Sequence, residues 1–174
     1  TALFSLLSLN VKILKSGVMV QMARKILVGV DLSKMSESLI AYSHSIAHRL
    51  NDEVIYIHVL PRLSSLWRGY EPWIPPQIGD EVKQIAHKKI SYWIQKAEDQ
   101  FKDLPVHEHK ILIEEGSPGE VIIQKAKEEN VSLIIVAYKG HSTMEHILIG
   151  STTTTIARHA PCSVLIYRPG FEIM

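Results

Sequence analysis

The chain of 174 residues contains a single cysteine, Cys162. No intrachain disulfide can form, so a reducing compartment, and with it a cytoplasmic location, is the simpler reading. Pro161 and Ser163 flank this cysteine ahead of an apolar run, which reads as a packed thiol rather than a nucleophile. Neither sign of charge is in excess. Nineteen Lys and Arg face 18 Asp and Glu, leaving a formal net charge of +1 and no bulk footprint for nucleic acid. The apolar stretch around Leu3, Phe4, Leu6, Leu7 and Leu9 is too short and interrupted to span a membrane. It also lacks preceding basic residues and a small-x-small cleavage site, as a signal peptide would require. There is no short repeat and no low-complexity tract. Neither Gly-x4-Gly-Lys-Ser/Thr nor Gly-x-Gly-x2-Gly occurs, so a Walker loop and a dinucleotide fingerprint are excluded.

What is present is an ordinary globular balance, 46% hydrophobic and 21% charged, in a length that suits one domain with a sizeable core. Met22 opens a segment that reads as a start. Residues 1–21 are therefore set apart as a leader or tail of open status, and residues 22–174 form one domain.

From Lys25 two apolar patterns alternate. Ile26–Val30, Val54–Leu60, Val131–Ala137 and Ser163–Tyr167 are short, nearly continuous runs, as expected of strands buried on both faces. A further strand, Val106–Glu114, is charged. Between these runs apolar residues recur at helical spacing. Met35, Leu39, Ile40, Ile46, Ala47 and Leu50 mark one helix; Val82, Ile85, Ala86, Ile90, Trp93, Ile94, Ala97 and Phe101 mark one face of a second. A third runs to about Glu129, with Ser117 as cap, Pro118 in the first helical position and Glu120 closing a capping box. A fourth covers Ser151–His159. Strand–helix alternation to a fifth strand predicts an α/β fold, an open doubly wound five-stranded parallel sheet of order 3-2-1-4-5 with helices on both faces. The irregular segment Pro61–Gly79, with Trp67, Tyr70 and Trp73, reads equally as an interaction surface or lid and as a packed crossover.

In such sheets ligands sit outside the carboxyl ends of the strands where strand order reverses, here between strands one and four. Asp31 follows the first of these strands, where its carboxylate can accept from a sugar or base, or cap the next helix. After the other strand, Ala137 and Tyr138 lead into a long loop with glycines at 140 and 150, ending at Ser151 and Thr152. The glycines let backbone turn closely. Amides at the start of the following helix favour an anion, so Gly140 to Ser151 reads as a phosphate cradle.

These residues carry a resemblance. Gly140-x9-Gly150-Ser151, Val28-Gly29-Val30-Asp31, His58-Val59, Gly116-Ser117-Pro118 and His159–Leu165 are similar to the universal stress proteins. The similarity extends over about Ala23–Pro169. ATP-binding members carry Gly-x2-Gly-x9-Gly-Ser/Thr, whose first glycine is Ala137 here. The resemblance implies an adenine nucleotide alpha hydrolase-like fold and ATP as cofactor, with or without Mg. By position, Asp31 and Val59 would meet the adenine and its surroundings, and Ala137 and Tyr138 the ribose side. Gly140, Gly150, Ser151 and Thr152 would hold phosphates, and Gly29 and Val30 complete the cofactor-binding set.

No catalytic residue is assigned, and ATP is expected to be bound rather than rapidly turned over. His44 and His48, or His107 and His109, come without a further ligand at zinc spacing, so no metal site is expected. The last strand, Ser163–Tyr167, lacks the charges that protect the other edge; a symmetric partner strand would cover it as a homodimer, or the tail Arg168–Met174 could instead; the resemblance implies the homodimer. The expected function is that of an ATP-binding stress-response or signalling module with an unnamed signalling partner. A dimeric interaction module without nucleotide and a slow ATP hydrolase are the alternatives. Neither nucleic acid nor membrane is expected as a partner.

Overall fold

The computed structural model describes residues 24–61, 79–102, 108–139 and 149–170, and the backbone alone at 11–13, 19–21 and 76–78. Within the leader, strands β1 (Val11–Ile13) and β2 (Met19–Gln21) pair antiparallel as a two-stranded sheet. The remaining elements alternate. They are β3 (Lys25–Gly29), α1 (Met35–Leu50), β4 (Glu53–Leu60), α2 (Pro76–Gln100), β5 (His109–Glu115), α3 (Pro118–Glu128), β6 (Leu133–Ala137), α4 (Ser151–His159) and β7 (Ser163–Tyr167).

The five longer strands form one parallel sheet of order β5-β4-β3-β6-β7, which is 3-2-1-4-5 in the order of its own strands. Side chains alternate between its faces, as the two-residue period of a strand requires. Ile26 and Val28 of β3, Val54 and Tyr56 of β4, and Ile135 of β6 point toward α1 and α2, where Leu39, Ile40, Ala47, Ile90 and Ile94 complete one core. Leu27, Ile55, Ile57, Ile134 and Val136 point the other way, onto Ile122 and Ala126 of α3 and Ile156 of α4. Burial on both faces is why these strands read as continuous apolar runs.

Local chemistry sets the helix ends. Asn51 closes α1 in the left-handed conformation (φ 55°), its N–H reaching the carbonyls of Ala47 and His48. Ser117 occupies the cap position of α3 with extended backbone and Pro118 follows in the first turn, but no side-chain capping bond forms. The expected capping box is therefore reduced to its proline. Of the apolar residues expected on one face of α2, Val82 and Ile85 are 40% and 65% exposed, apart from the buried Ala86, Ile90 and Ile94. Of the expected strand 106–114, residues 106 and 107 lie outside the described part. The aromatic segment 62–75 lies outside it as well.

Candidate functional site at the switch point

Strands β3 and β6 lie side by side in register, Gly29 opposite Val136, so both chains leave the sheet at the same level. From β3 the chain crosses to β4 on one side; β6 lies on the other. The crevice between the departing chains is a cavity of about 550 Å³. The β3 end contributes Gly29, Val30, Asp31 and Leu32, and β4 contributes Ile57, His58 and Val59 with Pro61 beyond it. Pro118 and Ile122 of α3, Val136 and Ala137 of β6, and Gly150 to Thr153 complete the wall.

Backbone and side chain fix the end formed by β3 and β4. The Val30 N–H donates to the Ile57 carbonyl at 2.8 Å. The Val30 carbonyl lies 2.7 Å from His58 Nδ1. A carbonyl only accepts, so Nδ1 carries the proton and donates. Asp31 Oδ1 accepts from the Ser33 N–H at 3.0 Å and from the Ser36 hydroxyl at 2.9 Å. The carboxylate therefore ties the loop that starts α1 and also lines the cavity. Gly29 is a packing glycine: a Cβ there would stand 3.0 Å from Val136 Cγ1 and 3.1 Å from Ile122 Cδ1.

The opposite wall is the start of α4. Tyr138 donates its N–H to the Tyr167 carbonyl and accepts from the Gly150 N–H, both at 2.9 Å, which pins the two ends of the intervening loop together. The first helical bond runs from the Thr154 N–H to the Gly150 carbonyl. The amides of Ser151, Thr152 and Thr153 thus precede the helix's own ladder, and the cap residue, Gly150, has no side chain to cap them. No acid stands in the first turn, while Arg158 and His159 occupy the last, so the positive end of the helix dipole faces the cavity unneutralised by its own turn. Buried Thr153 donates its hydroxyl to the Ala137 carbonyl at 2.7 Å, locking the helix start to the end of β6.

Eight of the ten sequence-assigned residues therefore line one cavity: Gly29, Val30, Asp31, Val59, Ala137, Gly150, Ser151 and Thr152. Tyr138 is not brought into that lining; its backbone bonds Tyr167 and Gly150, and its ring centre lies 5.2 Å from the Arg168 guanidinium. Gly140 falls outside the described residues. Two expectations change in detail. Gly150 has φ −67° and ψ 153°, so no left-handed turn requires glycine there. Ala137 is not among the non-glycine residues with positive φ, which among the described residues are Leu32, Asn51 and Asn130, so alanine carries no backbone strain at that position. Sequence reasoning gave His58 and Thr153 no place among the site residues and read Pro118 only as the first residue of a helix. The signal for His58 was its place as a ring nitrogen inside an apolar run, and for Thr153 its place one residue beyond the assigned motif.

The histidines among the described residues do not gather. His44 stacks on Phe101 at 5.8 Å and His109 stands 3.8 Å from Glu98. Among the described residues no group of three potential metal ligands is brought together, and no helix is long and apolar enough to cross a membrane.

Comparison with known proteins bears on the fold and the family. The profile of the universal stress protein family matches residues 22–168. Universal stress protein YxiE of Bacillus subtilis is 28% identical over 151 residues, covering 84% of this chain and all of that protein. Among solved structures, universal stress protein UspA from Lactobacillus plantarum superposes with a TM-score of 0.66 at 22% identity, covering 83% of this chain and 97% of that one. A universal stress protein crystallised in complex with cAMP gives a TM-score of 0.55 at 22% identity, covering 84% and 97%. With the profile spanning residues 22–168, most of its length, the chain belongs to the universal stress protein family.

Proposed function

We propose that the switch-point cavity binds an adenine nucleotide, with ATP as the principal ligand, and that the protein acts as a nucleotide-dependent module in a cytoplasmic stress response. The observation that carries this reading is the start of α4. Three amides precede the helical ladder there, beside a glycine whose missing Cβ no described neighbour requires. Such a terminus favours a phosphate. The apolar floor of Ile57, Val59, Ile122 and Val136 suits a planar base, with Asp31 and the peptide groups at the β3 end beside it. The cAMP bound by a relative of the same fold supports an adenine nucleotide as the class. The proposal assigns Asp31 and Val59 to the adenine side and Ala137 and Tyr138 to the ribose. Gly140, Gly150, Ser151 and Thr152 take the phosphates, with or without Mg.

Binding with at most slow turnover is part of the reading. Asp31 is the carboxylate among the described lining residues, and its Oδ1 is already engaged by Ser33 and Ser36. The protein works as a homodimer joined through β7. Mass spectrometry of ligand released from purified protein, followed by calorimetry with ATP, ADP and cAMP, tests the proposal. Micromolar binding of ATP that Gly150→Asp abolishes is expected. Absence of any adenine-nucleotide binding would leave the nucleotide-free interaction module in its place.

A further inference from the structure

Helix α2 carries a second apolar stripe that the core does not use. Its buried side consists of Ala86, Ile90, Trp93, Ile94 and Ala97. On the outer side Val82, Ile85 and Tyr92 are 40%, 65% and 61% exposed. With Lys89 between Ile85 and Tyr92, the steps along this line are three, four and three residues, the spacing of a helix–helix seam. The Lys89 ammonium is engaged by its own chain. It donates to the Leu32 carbonyl at 3.2 Å and lies 4.9 Å from the centre of the Trp93 ring.

The charges beside the stripe fall into two groups. Lys83 is paired with Glu115 at 2.7 Å, and Lys96 with Glu37. Glu81 and Lys88 are both exposed, and neither has an ion-pair partner among the described residues. They stand one heptad apart and so flank the stripe on the same side. An acid and a base placed this way match their own reversed image. Around a two-fold axis between Val82 and Ile85, Val82 meets the copy's Ile85 and Glu81 meets the copy's Lys88, each contact occurring twice.

We propose that this face of α2 docks a second copy of this chain, antiparallel, centred on Val82 and Ile85 and bracketed by two Glu81–Lys88 pairs. Self-complementarity of both the apolar line and the charges selects a copy over an unrelated partner. The contact covers about two helical turns, well under the area of a standard stable interface, so it is a weak association that operates at high local concentration. It uses none of the nucleotide cavity and none of β7, and it stands or falls independently of both.

Sedimentation equilibrium of the full chain from about 1 μM to about 1 mM tests it. A concentration-dependent step in mass is expected, with Ile85→Glu weakening that step by about tenfold or more. Glu81→Lys and Lys88→Glu should each weaken it, because each puts like charges at both brackets, and an equimolar mixture of the two variants should restore it. These positions are exposed, and circular dichroism verifies that the variants keep their fold. A mass that does not rise with concentration overturns the proposal, as does a step unchanged in Ile85→Glu or a mixture that fails to recover. A step lost in Ile166→Lys but retained in Ile85→Glu assigns the association to β7 and also overturns it. So does a change in tryptophan emission of Ile85→Glu at dilutions below the wild-type mass step, since that places a cover from the same chain over the stripe.

Discussion

Gly150 adopts φ −67° and ψ 153°, a conformation open to any residue, and a Cβ built there would meet nothing closer than 3.7 Å among the described atoms. Neither backbone strain nor packing within the described chain asks for glycine. A ligand approaching the amides of Ser151 and Thr152 would. The contrast is Gly29, where a Cβ would press on Val136 and Ile122 at 3.0 and 3.1 Å and the requirement is internal. The two glycines therefore separate in experiment. Gly150→Ala is expected to leave the melting temperature within about 2 °C of wild type. Its ATP affinity should fall by about tenfold, as measured by calorimetry. Gly150→Asp should abolish binding by placing a carboxylate at the positive end of α4. A Gly150→Ala protein that melts more than about 5 °C lower would assign the glycine to the fold instead.

At the level of elements, the underside of the sheet is held by one carboxylate serving three segments. Glu129, just past α3, accepts from Lys25 of β3 at 2.9 Å and from Lys110 of β5 at 2.7 Å. The two ammonium groups hold the Glu129 carboxyl below its ordinary value of 4.5, the hydrogen bond from Lys110 acting most strongly and that from Lys25 next. The same contact raises Lys25 above 10.5. A depressed carboxyl contributes stability that is complete above its unfolded value and lost as pH falls through its folded value. A raised lysine contributes below its unfolded value, so both contributions are present at neutral pH. Glu129→Gln is expected to cost about 1 kcal/mol at pH 7. Urea unfolding at pH 7 and again below the folded carboxyl range should show that gap closing in acid; an equal gap at both values would refute the assignment. This network also marks the limit of sequence reading. The apolar runs located β3, β4, β6 and β7 to within a residue or two, because burial on both faces leaves an unambiguous pattern. On β5 the charges announced an edge, but the partners of Lys110, Glu114 and Glu115 come from the end of α3, from α3 itself and from α2, which sequence spacing does not bring together. On α2 the helical period was correct, yet it set Val82 and Ile85 on one face with Ile90 and Ile94, since a period gives a helix's apolar residues and not which of two stripes is covered. The cavity was legible through its strand ends and the start of α4. His58 and Thr153 were not, because both act through carbonyls of distant segments, Val30 and Ala137.

The sheet as a whole has two edges of different character. On β5, Lys110, Glu114 and Glu115 are engaged in ion pairs with neighbouring elements, a charged border that discourages pairing with another chain. On β7, Ser163-Val164-Leu165-Ile166-Tyr167 pairs with β6 on one side, carries no charge along its length and leaves Ile166 38% exposed. A second copy running antiparallel about a two-fold axis near Leu165 would satisfy that edge and set Ile166 beside the copy's Val164. This is the geometry of the homodimer proposed above. Tyr167 accepts from the Tyr138 N–H, and Tyr138 accepts from Gly150, so the edge strand connects by two hydrogen bonds to the start of α4. A β7 dimer would thereby rigidify the wall proposed to hold phosphate. Light scattering of the wild-type protein is expected to give twice the chain mass of 19.7 kDa, and Ile166→Lys, which introduces a charge at the edge, to give the single-chain mass. If the edge strand does steady the cavity, monomeric Ile166→Lys should also bind ATP more weakly, by about three- to tenfold, without touching it. Full ATP affinity in a folded monomer would separate the two functions, and an unchanged mass in Ile166→Lys would remove β7 as the interface.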